Sequence, residues 1–268
     1  MRVLLLALLF VTLGVNAQAP KEGVEVHKSR LLLLPASTVE RSAGQQYAQL
    51  MRAASEKNLL NTDARQIERL RRIARELIPH AARFNPNASK WRWEVNLISS
   101  KTVNAFCMPG GKIAFFTGIL DQLQLTDDEI ATIMGHEIGH ALLEHGRARM
   151  SEQVLKNVGI SVAAAMLNLG QISTELLAQG ANLAVSLPYA RTQESDADLV
   201  GLELSARAGH DPRAAVSVWQ KMSRLAQAAG KGQPPQFLST HPSNDTRIKQ
   251  IEANLPRVMP LYSKKEKS

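Results

Sequence analysis

His136-Glu137-Ile138-Gly139-His140 sets two imidazoles four positions apart with a carboxylate beside the first. On a helix, residues four apart stand one above the other, with Cβ atoms roughly 6 Å apart. Both rings can then reach one tetrahedral zinc at about 2.0–2.1 Å. Glu137 lies about 100° further round, where it ligates poorly but can take a proton from a metal-bound water. The chemistry on offer is metal-assisted hydrolysis. The same five residues also arise by chance on solvated helices, so the reading depends on their surroundings.

A helix is what the flanks predict. Thr126-Asp127-Asp128-Glu129 has the form of a capping box, and Ile130, Ile133, Met134, Ile138, Ala141 and Leu142 recur at helical spacing. Gly135 and Gly139 each cost about 1 kcal/mol of helix propensity, which is tolerable where a neighbouring helix must come close and bring a third ligand. Glu194 and Asp198 lie at i, i+4 in Arg191 to Asp198, a segment that resumes helical periodicity, while Asp196 points elsewhere. Glu194 is assigned as third ligand and Asp198 as the carboxylate that accepts the outer ring N–H of a ligand histidine. Without a metal, the pair would be an ordinary acidic helix face. His145, five positions past His140, would point some 140° away from the ligand side of a continuous helix and is read as structural or surface. Glu144 shares the ligand face, and an ion pair with Arg147 or Arg149 is the reading for it.

Four motifs in order, Val103-Asn104-Ala105-Phe106-Cys107-Met108-Pro109-Gly110-Gly111, His136 to His140, Glu194 to Asp198 and Thr240-His241-Pro242, resemble the minigluzincins. These are family forty-eight of the metallopeptidases, which includes the CAAX prenyl protease, HtpX, BepA and LoiP. The resemblance covers roughly residues 85 to 256. It implies a zincin-like α+β fold, predominantly helical, with a small sheet packed on the active-site helix. It also implies one zinc per chain held by His136, His140 and Glu194, and Glu137 as general base. Asn104 and Ala105 would lie on a strand along the cleft and hold an extended protein or peptide substrate by main-chain bonds; a strand paired on both edges would not. His241 would approach the zinc, holding the enzyme latent or stabilising the transition state. Arg247 would help carry the oxyanion charge.

The implied function is hydrolysis of peptide bonds in unfolded or misassembled envelope proteins. A chaperone-like envelope protein with a latent or structural zinc is the alternative.

The rest of the chain must position and deliver this site. Arg2, the apolar run Val3 to Leu13 and the small residues up to Ala17 read as a signal peptide over 1–17, so the protein is expected to be exported, periplasmic and in part membrane-associated. The formal net charge of +8 suits an anionic membrane surface; nucleic acid is not expected in that compartment, and the resemblance adds outer-membrane assembly machinery as a partner. The single Cys107 permits no internal disulfide and reads as an apolar filler.

Residues 18–84 are expected as an extended arm followed by helix from Glu40 to Ile78, broken at Asn61-Thr62-Asp63. The second piece carries an apolar stripe from Ile67 to Leu77 and an arginine-rich face taken as solvated. The metallopeptidase domain is expected over 85–256. Strict alternation from Trp91 to Leu97 predicts a strand with one buried face, followed by strands over 103–108 and 112–116. Residues 158–187 read as a long covering helix or a lid, Asp245 to Leu255 as the closing helix, and 257–268 as a basic tail.

Overall fold

A computed structural model describes residues 22–27, 31–158, 189–230, 234–242 and 245–266. Among these, the helices in chain order are α1 (Ala36–Glu56), α2 (Ala64–Leu77), α3 (Thr117–Leu123), α4 (Asp127–Leu142), α5 (His145–Val158), α6 (Arg191–Ala208), α7 (Ala214–Ala228), α8 (Gln236–Thr240) and α9 (Asp245–Glu266). The strands are β1 (Glu94–Ile98), β2 (Ala105–Met108) and β3 (Lys112–Phe116). The fold is predominantly helical with one small sheet. The signal-peptide reading, and the covering helix or lid beyond Val158, fall outside the described residues. Among the described residues no helix is long and apolar enough to cross a membrane.

The capping box forms. Thr126 Oγ1 accepts the Glu129 N–H at 3.3 Å and Glu129 Oε2 accepts the Thr126 N–H at 2.8 Å, so α4 starts where the sequence predicts. Asp127, Asp128 and Glu129 fill its first turn and complement the positive end of the helix dipole. Arg69 Nε reaches Asp127 at 2.5 Å, Arg72 also pairs with Asp127 and with Glu76, and Arg71 pairs with Glu68. Two arginines of the α2 face, Arg69 and Arg72, are therefore not merely solvated; they fasten α2 to the start of α4. On the other side of α2, Ile67, Leu70, Ile73, Ala74 and Leu77 are buried as the stripe predicts.

In the sheet, β3 lies between β1, which it pairs in parallel, and β2, which it pairs antiparallel. The hairpin from β2 to β3 turns through Gly110 and Gly111, both at positive φ, and a Cβ on Gly111 would lie 2.6 Å from the Trp93 ring. β1 starts at Glu94 rather than Trp91, because the indoles of Trp91 and Trp93 turn aside to donate to Glu40 and to the Ala88 carbonyl. Nor is only one face of β1 buried. Leu97 packs into the main core, whereas Ile98 joins a second cluster with Tyr47, Met51 and Ala54 of α1. The sheet is thus a layer between α1 and the remaining helices, which period-two alternation within one strand could not reveal. The last helix also runs past the expected Leu255, through Pro256 and Pro260, because Val258 and Leu261 continue its buried face.

Residues 22–27 and 31–35 form the extended arm. The Val24 N–H donates to Glu203 Oε2 at 2.7 Å and the His27 N–H to Asp196 at 3.1 Å, both on α6. Further on, the Leu33 N–H donates to Ser151 Oγ at 3.0 Å, and Arg147 donates to the Leu34 carbonyl, both on α5.

The tightest packing is between α4 and α6. A Cβ on Gly135 would sit 3.0 Å from the Gly201 Cα, one on Gly139 would sit 3.0 Å from the Ala197 carbonyl oxygen, and one on Gly201 would sit 2.7 Å from the His136 nitrogen. The two backbones come this close because glycines stand at the crossing on both helices, Gly135 and Gly139 on α4 and Gly201 on α6. Gly201→Ala should therefore push the helices apart and destabilise the protein by about 1–3 kcal/mol, a net loss despite the gain of about 1 kcal/mol in helix propensity. Denaturant unfolding measures it; an unchanged or raised midpoint would show that the contact has slack.

Candidate metal centre

The close crossing of α4 and α6 sets Glu194, in the first turn of α6, opposite His136 and His140, one turn apart on α4. His241, at the end of α8, completes a buried group of four whose ligand atoms all lie within 4.8 Å of one another. His136 Nε2 is 3.1 Å from His140 Nε2 and 3.2 Å from His241 Nδ1. Glu194 Oε1 is 3.0 Å from His241 Nδ1 and 3.4 Å from His140 Nε2. A tetrahedron with bonds of about 2.0–2.1 Å has edges of about 3.3 Å, so these spacings suit zinc. Glu137 faces the group, with Oε1 buried, lacking a hydrogen-bond partner and 3.5 Å from His241 Nε2.

Behind the donors stands a supporting layer. Asp198 Oδ1 lies 2.9 Å from His136 Nδ1, as the i, i+4 reading of α6 predicts, while Asp196 faces the N-terminal arm. Arg247 grips Asp198 through Nε and a terminal nitrogen, each at 2.7 Å. Its other terminal nitrogen is 2.6 Å from Glu194 Oε2 and 3.0 Å from the Pro242 carbonyl, and the guanidinium lies 3.8 Å from the Trp219 ring centre. This geometry redirects the oxyanion expectation for Arg247, whose donors are committed to the carboxylates behind the site. Only the fold could show this, since α9 and α6 are remote in sequence.

Two further contacts escape the sequence reading. His145 is 1 % exposed and its Nδ1 lies 2.9 Å from His140 Nδ1. The argument that it points away assumed a continuous helix, but α4 ends at Leu142 and Glu144, at φ 56°, reverses the chain. Tyr189 stacks on His140 with ring centres 3.8 Å apart, and Arg149 covers Tyr189 at 3.6 Å. The one local signal was the pair of histidines five apart. Glu144 pairs with Arg147 at 2.6 Å, as expected.

Charge decides what the centre can hold. Burial raises the Glu137 carboxyl above its ordinary range, against the pull of His241 and His136. Burial also opposes ionisation of Glu194 and Asp198, yet their cationic and hydrogen-bonding partners outweigh it. His241 chiefly holds Glu194 well below the usual range, and Arg247 holds Asp198 low. Burial keeps His140 well below the ordinary histidine value and takes His145 down to about 3. Burial opposes charge on His136 too, yet Asp198 raises its proton affinity above the ordinary histidine value. Buried charges must be paired, and a divalent cation among these nitrogen and carboxylate donors would replace the protons that otherwise balance Glu194 and Asp198. The residues present fit zinc.

A cleft opens beside the donors, walled by Val39 and Ala43 of α1, Phe106 and Met108 of β2, Met150 of α5 and Tyr189. Asn104 and Ala105 line it too. Among the described residues β2 is an edge strand, paired only with β3. Because the Phe116 N–H donates to the Asn104 carbonyl, antiparallel alternation turns the main-chain groups of Ala105 and Cys107 away from β3. Asn104 Oδ1 accepts the Ala105 N–H at 3.0 Å. The buried Cys107 also lines the cleft, its thiol raised well above the ordinary value by burial.

A helix bearing two histidine donors and a free carboxylate, crossed by a second helix bearing a glutamate donor, defines a gluzincin-type zinc metallopeptidase centre. Residues 64–255 match the sequence pattern of Peptidase family M48, and the chain belongs to that family. It is 39% identical over 165 residues to the mitochondrial metalloendopeptidase OMA1 of Arabidopsis thaliana, covering 61% of this chain and 32% of that one. It is 27% identical over 175 residues to the metalloprotease LoiP of Escherichia coli, covering 65% and 66%, and 26% identical over 174 residues to the beta-barrel assembly-enhancing protease of Yersinia pestis, covering 61% and 35%. The chain thus spans about a third to a half of the OMA1 relatives it matches.

If Arg247 balances the buried carboxylates, Arg247→Met should cost the metal-free protein about 3–5 kcal/mol. The zinc-saturated protein should lose clearly less, because the cation supplies charge to the same group. Urea unfolding with chelator and with excess zinc makes the comparison; equal losses would mean that Arg247 acts by packing alone.

Proposed function

We propose that this chain is a zinc-dependent endopeptidase that cleaves extended segments of unfolded or misassembled proteins in the cell envelope. The observation that carries the reading is Glu137: a buried carboxylate with an unpartnered oxygen, beside four converging donors and the free edge of β2. His136, His140 and Glu194 are the ligands in this reading. When bound, zinc supplies the positive charge that polarises a water and the scissile carbonyl. Glu137 takes the proton from the attacking water and delivers it to the leaving amine, and its raised affinity for protons suits both halves of that task. Asp198 fixes the tautomer of His136, and Arg247 fixes Asp198 and Glu194 rather than touching the reacting atoms.

Ala105 and Cys107 hold an extended peptide by main-chain bonds, with Asn104 adjusting the edge. The apolar wall of Val39, Ala43, Phe106, Met108 and Met150 favours apolar side chains, which unfolded proteins expose and folded ones bury. Val39 and Ala43 belong to α1, which lies before residues 64–255 of the family match.

His241 supports latency. As a fourth donor it leaves no ready place for a water, so it must withdraw from the ligand group before Glu137 has a substrate. Export is supported by the apolar run after Arg2 and by the beta-barrel assembly role in the name of the Yersinia relative. The mitochondrial relatives show that the same catalytic segment also serves in another compartment. The outer-membrane assembly machinery enters as a partner through the name of the Yersinia relative, and the net charge of +8 favours an anionic membrane surface. The same closed donor group supports a second reading, an envelope chaperone with a structural zinc.

Digestion of casein, with cleavage sites mapped by mass spectrometry, tests both. Glu137→Gln should keep one zinc per chain and lose on the order of 10²–10⁴-fold in rate, and cuts by the wild type should fall next to apolar residues. Full activity in Glu137→Gln would remove the general base.

His241→Ala should digest casein faster than the wild type while retaining zinc. A slower rate would assign His241 to the transition state instead, and no cleavage by either protein would favour the chaperone.

A further inference from the structure

We propose that His145 is a positioning residue for the metal centre, its Nδ1 accepting the Nδ1–H of His140 and so fixing the tautomer that turns the His140 Nε2 lone pair toward the cation. The inference rests on His140 being a zinc ligand and adds the partner that orients it.

Two imidazole nitrogens 2.9 Å apart can share only one proton, so one ring donates and the other accepts. His140 Nε2 lies within the donor group, 3.1 Å from His136 Nε2 and 3.4 Å from Glu194 Oε1, and a ligand nitrogen must be unprotonated. The proton of His140 is therefore on Nδ1. His145 must accept it, which puts the proton of His145 on its own Nε2.

The two ligand histidines are thus held differently. His136 leans on the Asp198 carboxylate at 2.9 Å, whereas His140 leans on an uncharged ring. A carboxylate partner raises the basicity of a ligand imidazole, and an imidazole acceptor raises it less. The asymmetry keeps a further negative charge out of a centre that already buries Glu137, Glu194 and Asp198.

The turn between α4 and α5 serves this contact. Leu143 leaves the helix, and Glu144 takes a left-handed conformation at φ 56° that residues with side chains seldom adopt. Arg147 holds the Glu144 carboxylate at 2.6 Å, and the Ala148 N–H donates to the Glu144 carbonyl at 2.9 Å. His145, the first residue of α5, is thereby returned to the ring it would have missed on a straight helix. Tyr189 closes the opposite face of His140, so the ring is stacked on one side and hydrogen-bonded along its plane.

The test is zinc affinity of the metal-free full chain, measured by competition with a chromophoric chelator, which needs no substrate. His145→Leu fills the space without an acceptor and should weaken zinc about 10–100-fold. His145→Asn, whose Oδ1 occupies the place of Nδ1, should restore most of that loss, and His145→Asp should bind zinc more tightly than the wild type. A packing role predicts the reverse order, with Leu tolerated and Asn poor. Wild-type affinity in Leu, or Asn no better than Leu, overturns the proposal. If Leu does not fold, the ranking of Asp above wild type and of wild type near Asn carries the test, and Asp weaker than Asn overturns it. His140→Ala is the control: if it leaves zinc binding intact, the ligand assignment itself has failed, separately from the role of His145.

Discussion

Everything at the centre depends on two helices touching backbone to backbone. α4 supplies two candidate donors and the Glu137 carboxylate, and α6 supplies the third candidate donor and the carboxylate behind the first. They converge because Gly135 and Gly139 face Gly201 and Ala197 with no side chain to separate them. A displacement by the width of a methyl group would carry Glu194 beyond the range at which one cation reaches both helices. The loss of helix propensity at these glycines is therefore the local cost of a non-local requirement. The arm segments 22–27 and 31–35, which fasten α6 and α5 from outside, and the arginines that fasten α2 to the start of α4, brace this crossing.

The second constraint is charge. Three carboxylates and one guanidinium share a volume from which water is nearly excluded, and none of them would stay ionised there alone. Arg247 satisfies Asp198 and part of Glu194, while its stacking on Trp219 recovers some of the hydration it loses. Burial is also what raises the proton affinity of Glu137, against the pull of His241 and His136, and a carboxylate so raised is suited to proton transfer near neutral pH.

The cleft ties this centre to the rest of the fold. β2 can offer an edge because the sheet ends there, and the sheet can be so small because α1 covers one face and the main core the other. α1 thus packs against the sheet through Tyr47, Met51 and Ala54 and lines the cleft through Val39 and Ala43.

Local chemistry made the core of the site legible. Two histidines and a glutamate in one helical turn, a capping box before them and a Glu-x-x-x-Asp face downstream pointed to the residues that the fold brings together, because each pattern depends only on spacing along a single helix. The glycines even disclosed that a neighbour must approach. The approach of His241 was expected only through the family resemblance, and the reach of Arg247, the burial of Ile98 beneath α1 and the return of His145 were decided by tertiary structure alone. Each depends on contacts between segments remote in the chain, or, for His145, on one left-handed residue, and periodicity carries no information about where a helix will turn back on itself.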